Sequence, residues 1–129
     1  MNLYSTYLVR GEEPNCGPSL FLGRFQPFHA GHSTLMQKVL DEGKDIIIAL
    51  RDTKKDGRNP YTIQERIDMI KNVFPEAVVY PEKGRIVICQ IPDISEVVLG
   101  RRVGWSVRKI KLLDEIESIS ATKLREQQK

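Results

Sequence analysis

The chain has 129 residues, a net charge of +3, 40% hydrophobic and 29% charged residues. That is the balance of an ordinary globular chain, long enough for one core and too short for two ordinary domains, and no apolar run approaches the roughly 20 residues of a membrane-spanning helix. A mild positive charge suits an anionic small molecule at least as well as nucleic acid.

The opening residues show no basic end leading into an apolar stretch, so they do not read as a secretory signal, and a cytoplasmic protein is expected. "LYSTYLV" reads as a strand, followed by a loop that Gly11, Pro14, Gly17 and Pro18 punctuate. "SLFLG" is a short apolar run ending in Gly23 and reads as a buried strand. From His32 onward Leu35, Met36, Val39 and Leu40 recur at helical spacing, with Gly43 placed to end the helix. "DIIIAL" has the isoleucine-rich character of a strand covered on both faces. After the polar loop "RDTKKDGRNP", Thr62 and Glu65 form a capping box ahead of a helix whose apolar face is Ile63, Ile67, Ile70, Val73 and Phe74, and Pro75 stops it.

"AVVYP", "IVICQI" and "EVVLG" are expected strands. Val103, Trp105 and Val107 alternate with Arg102, Gly104, Ser106 and Arg108 as a half-exposed strand would. "SATKLREQQK" reads as a closing helix capped by Ser120. Alternating strands and helices predict an α/β fold, a Rossmann-like three-layer α/β/α sandwich with a mostly parallel sheet, as one domain over residues 1–129. Residues 1–19 form an extension before its first core strand. Ligands of such sheets bind beyond the carboxyl ends of the strands.

"GRFQPFHAGH", Gly23 to His32, lies at such an end. A strand, a loop and a helix start put free backbone N–H groups and the positive end of a helix dipole beside His29 and His32, which favours phosphate. Gly23 and Gly31 let the backbone approach a ligand, and each imidazole can donate a hydrogen bond. Zinc would need further ligands, and neither another histidine nor a cysteine pair is near, so no metal site is expected. Cys16 and Cys89 are far apart, which excludes a disulfide framework. The alternation around Trp105 fits an amphipathic strand better than nucleic-acid binding, and Asp114, Glu115 and Glu117 read as a solvated edge.

"HAGH" matches the HxGH signature of the nucleotidyltransferase superfamily, and "ISATKLR", Ile119 to Arg125, resembles that superfamily's second signature, about ninety residues on. The resemblance implies transfer of a nucleoside monophosphate from a triphosphate to a small phosphate-bearing acceptor, with release of pyrophosphate. It implies that His29 and His32 contact the α-phosphate region while Ser120, Thr122 and Arg125 hold the β- and γ-phosphates. It also implies that a lysine of the pair Lys54 and Lys55 closes over the phosphates, with Lys55 as the catalytic one, and that Arg66 reaches them. Gly23, Arg24, Phe25, Gln26 and Gly31 line the nucleotide site in this reading, and Mg2+ arrives with the triphosphate.

"GRFQPFHAGH" and "IPDI" are similar to archaeal-type nicotinamide-mononucleotide adenylyltransferases, which implies AMP transfer from ATP. "ISATKLRE" is similar to small cytidylyltransferases, which implies CTP and a phosphoalcohol such as glycerol-3-phosphate as the alternative. A non-catalytic nucleotide-binding module of the same fold is the third reading. No nucleic-acid or membrane partner is expected. Dimers are common in the family, which leaves a homodimer open.

Overall fold

The computed structural model describes residues 4–8, 17–98 and 107–112. Four strands form one parallel sheet: β2 (Ser19–Gly23), β3 (Ile46–Arg51), β4 (Val78–Val79) and β5 (Ile86–Ile91), in the order β2-β3-β5-β4. Helix α1 (Ala30–Asp41) connects β2 to β3, and α2 (Ile63–Val73) follows β3. A separate two-stranded antiparallel ribbon joins β1 (Tyr4–Leu8) to β6 (Arg108–Leu112), with Tyr4 opposite Leu112. The N-terminal strand therefore pairs with β6 and stays out of the parallel sheet.

Register explains the layering. Phe21, Ile48, Ile88 and Val79 align across the sheet on one face, and Ile46 and Ile86 lie on the same face. These side chains share one core with Met36, Val39 and Leu40 of α1 and with Ile67 and Ile70 of α2. Successive crossovers from β2 to β3 to β5 run in one direction, and right-handed crossovers in one direction put both helices on one face. On the other face Leu20 aligns with Ile47 and Val87, and Leu22 with Ala49 and Cys89. That face is open among the described residues, with Leu20 61% exposed. The α/β class and parallel sheet are as expected, but only two of the three expected layers fall within the described residues.

Both helix ends follow local chemistry. Thr62 Oγ1 accepts from the Glu65 N–H at 3.1 Å while Glu65 Oε1 accepts from the Thr62 N–H at 3.0 Å, the reciprocal box expected from "TIQE". Thr62→Ala is expected to cost about 1 kcal/mol of stability, read as a lower midpoint in urea. Gly43 takes φ +86° just past α1, and its N–H bonds to the Leu40 carbonyl at 2.9 Å, so it ends that helix as expected.

Three expected elements differ or fall outside the described residues. Residues 96–98 of "EVVLG" are irregular, exposed backbone rather than strand, and Leu99 and Gly100 lie outside the described residues. Of the strand expected around Val103, Trp105 and Val107, residues 103–106 also lie outside them; Val107 is irregular and β6 begins at Arg108. The closing helix from Ser120 lies outside them as well.

Candidate active site

The expected helix start at His32 is two residues late. Helix α1 begins at Ala30, and its N-cap is His29, whose Nδ1 accepts from the Gly31 N–H at 3.0 Å. His32, in the third helical position, returns the favour: its Nδ1 accepts from the His29 N–H at 3.1 Å. Two imidazoles thus build a capping box that serine and glutamate usually build, so the HxGH signature is also the first turn of the helix. Imidazole does not rank among the usual capping groups, which is why spacing alone missed the boundary.

This cap fixes the tautomers. A backbone amide can only donate, so each Nδ1 must be an acceptor, and a neutral ring then carries its proton on Nε2. Both Nε2–H groups are left to donate away from the helix. The same fact argues against metal ligation, because the nitrogen left over from capping is the protonated one.

The surroundings keep the rings neutral. His29 and His32 stack with centroids 3.8 Å apart, Phe25 meets the His32 ring edge-on at 4.8 Å, and Phe28 stacks on it at 5.7 Å. Desolvation, with the charge of His29 adding to it, lowers the pKa of His32 to about 3, and burial lowers that of His29. The linkage has a definite sign: the unfolded chain binds a proton at the ordinary value of 6.5 that the folded His32 refuses down to about 3. Stability is full above pH 6.5 and falls as pH drops through that window, with a slope of at most about 1.4 kcal/mol per pH unit, reduced by solvent at these half-buried rings. His32→Asn is expected to flatten the stability curve between pH 6.5 and 4, measured by urea unfolding in a pH series.

Phe25 sits at φ +51°, a backbone region that bulky side chains rarely occupy, and its ring lies over Gly23, where a Cβ would come within 3.1 Å of the ring. Its ring is buried. Phe25 was expected to line the nucleotide site; in the structure its buried ring packs against His32. Gln26, expected beside the nucleotide, is 1% exposed and bonds its amide to protein partners. Its Nε2 donates to Thr53 Oγ1 and to the Tyr61 carbonyl, and its Oε1 accepts from the Tyr61 N–H, all at 2.9 Å.

Arg66 was expected to reach phosphates; in the structure its Nε and Nη1 bond to main-chain carbonyls, and its Nη2 is buried without a hydrogen-bond partner among the described residues. Its guanidinium is 0% exposed, with Nη1 donating to the Arg24 carbonyl at 2.7 Å and the Arg51 carbonyl at 2.8 Å, and Nε to the Thr62 carbonyl at 3.2 Å. It ties together the chain at the carboxyl ends of β2 and β3. Burial lowers its pKa, opposed by the carboxylate of Asp52.

Lys54 and Lys55 are exposed on the β3–α2 loop, at the same end of the sheet as the histidines. Arg24 is half-buried, and its Nη1 donates to Asn59 Oδ1 of that loop at 3.2 Å. Arg51 holds the "IPDI" segment there too, bonding to Asp93 at 2.7 Å and to the Ile94 carbonyl at 3.0 Å. Asp56 Oδ1 accepts from the Arg58 and Asn59 amides at 2.8 Å, a turn that presents Arg58 as a third exposed cation of the loop. The sequence reading passed over Arg58, although the aspartate two residues before it signals the turn. Ser120, Thr122 and Arg125 lie outside the described residues. A cavity of about 510 Å³ opens on the other sheet face, lined by Ile47, Tyr80, Val87 and Cys89, and takes in none of the site residues.

Known proteins resemble this chain in sequence and fold. Residues 20–85 match the sequence profile of a family described as cytidylyltransferase-like. The nicotinamide-nucleotide adenylyltransferase of Saccharolobus solfataricus is 36% identical over 77 residues, covering 58% of this chain and 44% of its own. Nicotinamide-nucleotide adenylyltransferase 1 of Sulfolobus acidocaldarius is 30% identical over 108 residues, covering 70% of this chain and 62% of its own. Among solved structures, a bifunctional NMN adenylyltransferase/ADP ribose pyrophosphatase from Francisella tularensis aligns with a TM-score of 0.50 at 28% identity, over 61% of this chain and 23% of that one. The chain aligns with only 35% of the nicotinamide-nucleotide adenylyltransferase of Methanolobus tindarius, a match of 34% identity over 61 residues covering 46% of this chain.

Proposed function

The chain belongs to the cytidylyltransferase-like family, and on that premise we propose that it transfers an adenylyl group from ATP to a small phosphate-bearing acceptor, releasing pyrophosphate. One observation carries the reading: two neutral imidazoles at a helix N-terminus, each with Nδ1 occupied by a backbone amide and Nε2–H free to donate. The names of the relatives favour adenylyl transfer over cytidylyl transfer and make nicotinamide mononucleotide the first acceptor to test.

In this mechanism an acceptor phosphate oxygen attacks the α-phosphorus in line. A new P–O bond forms as the bond to the β-phosphate breaks and pyrophosphate departs. Catalysis by position and electrostatics suffices for such a displacement. His29 and His32 donate Nε2–H to the α-phosphate oxygens, where negative charge is redistributed in the transition state. Because the imidazoles are neutral, positive charge must come from elsewhere: Lys54 and Lys55 close over the phosphates, and Arg125, Ser120 and Thr122 take the β- and γ-phosphates. Mg2+ would come with the triphosphate and offset its charge. Among the described residues no group of three or more histidine, cysteine or carboxylate side chains is placed to hold an ion itself.

The test is pyrophosphate release with Mg2+, pairing ATP and CTP each with nicotinamide mononucleotide, glycerol-3-phosphate, phosphocholine and phosphopantetheine. Release with ATP and one acceptor is the expected result. Release with CTP alone overturns the choice of base, and triphosphate binding with no release in any pair favours a binding module.

A further inference from the structure

The β3–α2 loop carries Lys54, Lys55 and Arg58 as exposed cations, while the residues at its two ends, Thr53 and Tyr61, are both bonded to one side chain from the histidine loop, that of Gln26. We propose that Gln26 is a positioning residue that holds the lysine loop in register with the histidine loop, so that the two sides of the phosphate site act as one unit. The inference rests on the nucleotidyl-transfer reading.

The chemistry of the contact is specific to an amide. Pairing with the N–H and the C=O of one residue requires an acceptor and a donor held in one plane, and the amide supplies both to Tyr61. The same nitrogen reaches Thr53 Oγ1, adjacent to Lys54. Glutamate lacks the donor, and methionine, of similar shape, lacks both groups. Because Gln26 is 1% exposed, these bonds face little competition from water. Three residues further on stands His29, so a shift of the amide moves the cap that orients both imidazoles.

A merely structural glutamine would lower stability and affect each catalytic group independently. A positioning residue makes the lysines depend on it. The experiment is therefore a double-mutant cycle in the full chain, read by pyrophosphate release from Mg·ATP with nicotinamide mononucleotide as acceptor: Gln26→Met, the pair Lys54→Ala with Lys55→Ala, and the combination. Gln26→Met is expected to lower kcat at least about tenfold with KM for ATP within about threefold. In that background, removing both lysines should cost less than about a third of the factor it costs in the wild type.

Equal factors in the two backgrounds overturn the proposal and leave the functional reading standing, as does a Gln26→Met chain with a lowered Tm and an unchanged kcat. No release by the wild-type chain from any pair overturns the functional reading and the proposal with it. If Gln26→Met does not fold, Thr53→Val removes one of the three bonds and carries the same cycle, with a smaller loss in the same direction expected.

Discussion

Asparagine in place of His29 or His32 is expected to lower kcat/KM for pyrophosphate release by about 100- to 1,000-fold, the usual cost of removing one donor from a developing anion. Tm should move by only a few degrees, because the asparagine Oδ1 can still accept the backbone amide that Nδ1 accepts now. Alanine at the same positions removes donor and cap together, adding about 1 kcal/mol of lost stability per cap. Glutamine at 29 has the opposite bias, since its longer side chain carries an N–H outward and caps poorly. Measuring kcat/KM beside Tm for the three substitutions separates the two jobs of each ring. A wild-type rate in the double asparagine variant would falsify the assignment of the site.

Removing the Arg66 guanidinium is the largest stability change expected among these substitutions. Arg66→Ala leaves a void and strips the carbonyls of Arg24 and Arg51 of a buried donor. The Arg51 carbonyl keeps the Thr53 N–H at 2.9 Å, so the loss is packing plus weakened acceptors, together about 3–5 kcal/mol, or a fall in Tm of roughly 10 °C or more. Arg66→Lys keeps a charge but replaces the planar fork with a single ammonium, so it should recover only part of the loss. Thermal unfolding followed by circular dichroism decides it, and a change below about 1 kcal/mol would show that the two carbonyls find water instead.

What the sequence made legible was whatever local chemistry controls. The strands β2, β3 and β5, the "TIQE" box and the glycine stop at Gly43 all rest on neighbours a few residues apart. The pairing of Tyr4 with Leu112 depends on contacts more than a hundred residues apart, and no period in either segment encodes it. For the candidate site, "HAGH" after a strand was readable as a strand-to-helix turn, while the capping by both rings was not. The protein partners of Gln26 and Arg66 were hidden from the sequence for a shared reason. Polar side chains in a phosphate loop are expected to face the ligand, and nothing in composition reveals that their partners are main-chain groups of another segment.

The contact of Phe25 over Gly23 sets a rule for anyone who would diversify this site. A Cβ at 23 would press on the aromatic ring at 25, which must give by a few tenths of an ångström, and that ring is one wall of the cage around His32. Libraries that vary one position at a time would therefore undervalue both, because a smaller residue at 25 opens the space that a methyl at 23 fills. The two positions are best treated as one letter of the alphabet, changed together or left alone.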